Sequence, residues 1–162
     1  MSTAAEFFHA ILRAAIDDIK SRNVPVYTFA FYHDHAARAV SVCVDTKASS
    51  QRAVQESNTV SLEYFLEALA DGDLKEASQW PANGGRSLTL GDFALVNVAR
   101  QEIADLRVNK QFHGQMIRAV MAFQDEIATL SQEPAELLLT CSGVDEEVEY
   151  VWSLPPAGQS GH

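Results

Sequence analysis

The sequence predicts an α+β domain: an antiparallel sheet of two hairpins packed against three or four amphipathic helices. Two pairs of short segments rich in β-branched and aromatic residues carry this reading, each pair joined by a turn-length link. Between and before them lie stretches whose apolar residues recur at three and four residues, the period of a helix with one buried side. The order of the segments shows no repeat and no linker, so residues 1–154 form one domain, and the tail Pro155–His162 is expected to be disordered.

Residues 3–22 open the chain as a helix. Thr3 and Glu6 have capping-box spacing, and Phe8, Ile11, Leu12, Ala15, Ile16 and Ile19 form one stripe. Asn23 and Pro25 stop it, because the residue before a proline is pushed out of the helical region. The first hairpin follows as VYTFAFYH (26–33) and AVSVCVD (39–45). If Phe29 and Phe31 share a buried face with Val40, Val42 and Val44, then Phe31 must stand opposite Val40 or Val42. Thr46 to Asn58 is polar and weakly patterned and reads as a loop or a loose helical turn.

Ser61 then caps a helix over 61–71 whose stripe is Leu62, Phe65, Leu66 and Leu69, with Asp71–Gly72 as its stop. Ser78 to Leu90 contains Trp80–Pro81 and Asn83–Gly84–Gly85 and reads as a long surface loop. Residues 92–106 are assigned to a helix capped by Asp92, with Leu95, Val98, Ala99, Ile103 and Leu106 on one side, although FALVNVA also suits a buried strand. Asn109 caps a further helix over 110–131, which Pro134 ends. ELLLTC (136–141) and EEVEYVWSL (146–154) form the second hairpin, with Val148, Tyr150, Trp152 and Leu154 turned to the core and Glu147 and Glu149 turned outward.

Composition narrows the function. The chain of 162 residues carries a formal net charge of −10, which argues against nucleic acid, whose binding rests on clustered Lys and Arg. No apolar run is long enough for a membrane span, no basic leader precedes the first helix, and a cytoplasmic protein is expected. Cys43 and Cys141 are far apart and within strands, so they read as buried free thiols, not as a zinc ribbon or a redox pair. No GxSxG, Walker or GxGxxG signature is present, and no cofactor is implied. Asn83–Gly84–Gly85–Arg86–Ser87 lacks the preceding strand that a phosphate loop needs.

Two features remain. The first is charge: after Arg118 there is no Lys or Arg, while Asp125, Glu126, Glu133, Glu136, Asp145, Glu146, Glu147 and Glu149 follow. Such an acidic region is a solvated face or a surface that steers a basic protein partner, with Glu146, Glu147 and Glu149 as its carboxylates and Trp80 as an aromatic anchor. The second is His33–Asp34–His35 at the hairpin end. On a continuing strand the two imidazoles project from one face about 7 Å apart and can share a metal, the third ligand coming from His9, His113 or Asp45. Ordinary turn chemistry competes with that reading.

The hairpin VYTFAFYHDHAARAVSVCVDT, and "TFAFYHD" within it, resembles a "YAFALYTDD" type of segment in small bacterial cytosolic proteins of domain-of-unknown-function families, some of them immunity-protein-like. That resemblance implies a toxin-neutralising or adaptor role. Two functions are therefore expected: a non-catalytic protein-interaction module, or a metal-dependent hydrolase using the His33–Asp34–His35 cluster. Free sheet edges also favour a homodimer unless something covers them.

Overall fold

The structure is a computed structural model that describes residues 3–103 and 105–155. The expected tail therefore lies, beyond Pro155, outside the described residues. In chain order the elements are α1 (Ala4–Ser21), β1 (Thr28–Asp34), β2 (Ala39–Asp45), α2 (Lys47–Ala70), α3 (Leu74–Ala77), β3 (Leu95–Glu102), α4 (Phe112–Ala128), β4 (Leu138–Cys141) and β5 (Tyr150–Ser153). Short 3₁₀ turns at Leu90–Asp92 and Pro134–Glu136 lead into β3 and β4. The class is α+β, with one five-stranded sheet in the order β3-β2-β1-β4-β5.

Both hairpins form. In the first, Phe31 stands opposite Val42 and Phe29 opposite Val44, so the phenylalanine and valine rows share the face that α1 and α4 cover. The second pairs Leu139 with Trp152 and Cys141 with Tyr150. Between the hairpins β4 runs parallel to β1, a departure from the all-antiparallel sheet that two hairpins suggest. The chain reaches β4 through α4, and a parallel pair is made by such a crossover, not by a tight turn.

The main core lies between the sheet and the helix pair α1–α4. Phe8 meets Phe31 and Phe112 edge-on at 5.6 and 5.1 Å between ring centroids. Thr3 caps α1, its side chain accepting from the Glu6 amide, and Arg13 of α1 pairs with Glu126 of α4 across the outside of the two helices. The opposite face of the sheet is not left wet. Leu90 and Phe93 cover Ala30 and Cys43 there, with Tyr32 and Val148 beside them, so β2 is buried along its whole length. Both cysteines are free and buried.

Four expectations require correction. Residues 92–106 contain a strand, β3, which pairs with β2. Residues 46–58 are neither a loop nor a loose turn but the first half of a regular helix: Thr46 accepts from the Ser49 amide and caps a helix that starts at Lys47. The stripe Leu62, Phe65, Leu66 and Leu69 is exposed, because α2 turns a different side toward the protein. The last strand begins at Tyr150, not at Glu146. Tyr150 is 41% exposed, Val148 packs on the far side of the sheet, and Trp152 alone of the expected inward row before Leu154 meets the main core from within the strand.

Candidate metal centre

β1 ends at the rim of the sheet beneath the start of α4, and this junction assembles the site. His33 is a residue of β1 in hydrogen-bond register with Val40, which fixes it on the α4 side with Phe29 and Phe31. His35 lies two residues on, in the turn, and projects the same way. His113 sits in the first turn of α4, where Phe112 anchors the helix by packing on both Phe8 and His33. The three imidazoles converge: one ring nitrogen from each of His33, His35 and His113 lies within 4.8 Å of the other two. His33 and His113 are buried and His35 is exposed, so the cluster opens to solvent on one side.

The hydrogen bonds define which nitrogens are free. His33 Nδ1 and His113 Nε2 face each other at 3.0 Å. His35 Nε2 lies 3.0 Å from the Gly143 carbonyl, which can only accept. In its neutral form the His35 ring therefore carries its proton on Nε2 and keeps its lone pair on Nδ1. His113 Nδ1 is buried without a hydrogen-bond partner among the described residues. Burial, and then the proximity of His35 and His113, pushes His33 down to about 4. His113 is lowered as well, by burial first and His35 second. Near neutral pH both buried rings are uncharged and offer nitrogen lone pairs, the form that ligates metal.

Around the rings, the segment 142–149 forms an outer layer. Ser142 accepts from the His33 amide at 2.8 Å and donates to the Glu147 carbonyl at 2.5 Å, which fixes the backbone that presents His33. A Cβ at position 143 would displace the Glu149 carboxylate from the place it takes here, so the glycine lets that side chain fold over the turn. That carboxylate accepts from the amides of Asp145 and Glu146. Glu149 is held below its usual range by a bond from Tyr150 first, by those amides, and by proximity to His113. Its charge therefore lies close to the histidines, inside the turn and not on an outward strand face.

The other sequence candidates are distributed elsewhere. Asp34 points away: it accepts from Arg100 first and from the Ala37 amide second, which hold its carboxyl below the usual range, so it serves the turn. Asp45 lies at the opposite end of the hairpin, paired with Thr28, and His9 packs edge-on against Phe123. Of the three candidates for a third ligand, the fold brings His113 to the pair. Trp80 is stacked on Tyr64 at 4.4 Å and donates to Glu76, within the α2–α3 unit. Glu146 and Glu147 are exposed in the β4–β5 loop, where Glu147 accepts from Tyr32. The proposed anchor and the proposed carboxylates thus belong to separate structural units.

No sequence signal marked Ser142 and Gly143 as parts of this outer layer, because their partners lie in β1 and in the turn that follows it. No protein-family model, curated protein or solved structure matches the chain. No helix among the described residues is long and apolar enough to cross a membrane.

Proposed function

We propose that this protein binds one divalent transition-metal ion of the zinc class through His33, His35 and His113 and uses it for hydrolytic chemistry. The observation that supports this is the convergence of three ring nitrogens from β1, the following turn and α4 within 4.8 Å. Ligands on a tetrahedral ion at about 2.0–2.1 Å stand roughly 3.3 Å apart, so small rotations of these rings suffice. Three imidazoles leave a coordination position open, as catalytic sites do and closed structural sites do not. A bound ion of this kind lowers the pKa of a coordinated water to about 7 and polarises an ester or amide carbonyl.

The chain's own groups prepare the site in three ways. Ser142 and Phe112 fix His33, the Gly143 carbonyl selects the tautomer of His35, and Glu149 supplies negative charge beside His113. The acidity of the 145–149 loop then stabilises a cation, a different use from steering a basic partner. Asp34 takes no part.

The test is a titration of untagged, chelator-treated protein with cobalt(II), read by visible absorption. We expect one ion per chain, abolished by His33→Ala and by His113→Ala but retained in Asp34→Asn. Uptake that survives His113→Ala, or no uptake at all, removes the proposal. Hydrolysis of para-nitrophenyl acetate by zinc-loaded protein, lost in His33→Ala, tests the hydrolytic half.

A further inference from the structure

We propose that the outer row of α2 is a docking site for an amphipathic helix of another protein whose apolar face is bordered by lysine and arginine. α2 is 24 residues long, yet Ser50 and Ala68 are its buried residues. Its inner side is already occupied. Ala68 is buried, Asn58 exchanges hydrogen bonds with the backbone of Asn83, and Tyr64 stacks on Trp80. To one side of these contacts run Leu62, Phe65, Leu66 and Leu69, at one-turn spacing and 55, 37, 52 and 48% exposed. Leu74, at the start of α3, adds a further side chain that is 69% exposed.

Contiguous apolar surface of this kind marks an interaction site, since soluble monomers keep such patches to a few hundred Å². A row at i, i+3, i+4 and i+7 is the pattern one helix presents to another. Charge decides the occupant. Between Glu56 and Glu76 the chain carries Glu56, Glu63, Glu67, Asp71, Asp73 and Glu76 against a single cation, Lys75. Glu56, Glu63 and Glu67 lie along the helix next to the row and enter no ion pair among the described residues. A second copy of this chain would bring the same carboxylates face to face, and an anionic membrane would be repelled. A helix with cationic flanks meets the acidic border and covers the row. This inference is independent of the metal centre, whose histidines belong to β1, the turn after it and α4.

Two fluorescent helical peptides with the same leucine face, one flanked by lysines and one by glutamates, provide the test by anisotropy with the full chain. We expect the lysine peptide to bind at least about tenfold more tightly than the glutamate peptide, a preference of about 1.4 kcal/mol. High salt and the double variant Glu63→Gln/Glu67→Gln should both erase the preference. Leu66→Glu should abolish binding while leaving the circular dichroism melt unchanged, because Leu66 is exposed. Equal binding of both peptides, or binding of neither, overturns the proposal. So does a sedimenting dimer that Leu66→Glu dissociates, or tighter binding to anionic vesicles than to the lysine peptide.

Discussion

The guanidinium of Arg86 ties three segments of the chain together. It donates to the Tyr27 carbonyl at 2.8 Å, to Thr28 Oγ1 at 3.1 Å and to the Glu136 carbonyl at 2.5 Å, and it lies 3.6 Å above the Tyr27 ring. These acceptors sit at the point where β1 and β4 begin side by side, so one planar fork closes the start of the parallel pair. A lysine head has no fork and does not stack in the same way. We therefore expect Arg86→Ala to lower stability by about 2–4 kcal/mol and Arg86→Lys by about 1–2 kcal/mol. Urea titration with an unchanged slope is the measurement; a loss below about 0.5 kcal/mol for the alanine variant would mean the fork is replaceable by water. The sequence reads Asn83–Gly84–Gly85 as part of a long surface loop, and within it Asn83 Oδ1 accepts from the Gly85 amide. It gave no sign that the next residue folds inward, because all of Arg86's acceptors are distant in sequence. The histidines divide in the same way. The two-residue spacing of His33 and His35 puts both on one face of an extended chain, which local geometry alone dictates. His113 joins them through the packing of Phe112 on His33, a tertiary contact.

At the level of the element, β3 shows how a strand imitates a helix. Leu95, Val98 and Gln101 stand opposite Val44, Val42 and Val40, so three residues on β3 match two on β2, twice in succession. Each extra residue is accommodated by a positive φ, 59° at Asn97 and 54° at Ala99. The bulges stretch the inward period from two to three, and a three-residue apolar spacing reads as a helix face. The same irregularity blunts β3 as an exposed edge, and β5, at the other edge, is only four residues long. Asn97 suits its position because its short amide tolerates the left-handed region and its Oδ1 accepts from Ser41 and Arg100. We expect Asn97→Ala to cost about 1–2 kcal/mol and Asn97→Gly to cost less, since glycine adopts this φ freely. Thermal melts of the two variants decide it, and equal losses for both would show that side-chain bonds, not backbone conformation, set the residue. α2 errs in the opposite sense. Its first half was invisible to periodicity because periodicity reports burial, and this segment buries little beyond Ser50. Its cap Thr46 and its run of good helix formers were nevertheless in plain view.

For the molecule as a whole, the legible part was the layer with reciprocal burial. Helices α1 and α4 and the first hairpin each bury a continuous stripe against the others, so their patterns agree with their packing and the Phe31–Val42 register follows. The cover on the far face, from Leu90, Phe93 and Val148, depends on loops whose course no local pattern dictates. The α2–α3 arm is different again, because few of its side chains meet the core. It is joined at its base by Ser50, whose Oγ accepts from the Ser87 amide, and midway by the Asn58–Asn83 pair. Beyond that point the Tyr64–Trp80 stack holds α2 to the segment that follows α3, and not to the sheet. Stability is distributed according to such contacts, and segments with few buried apolar groups open at lower free energy than the core. Native-state hydrogen exchange should therefore find two tiers. Amides of β1 and β2 should exchange only through global unfolding, while those from Val60 to Ala77 exchange through a local opening several kcal/mol cheaper, on the scale of roughly 0 to the full unfolding free energy. Asn58→Ala removes the mid-helix tie and should speed exchange throughout the arm while leaving β1 unchanged. If instead the arm were as protected as β1, or if Asn58→Ala slowed or spared it, the helix would have to be stabilised by contacts with another molecule in solution. The same measurement repeated with the lysine-flanked peptide then has a defined direction. A helix seated on Leu62, Phe65, Leu66 and Leu69 raises protection in the arm and leaves the sheet tier where it was.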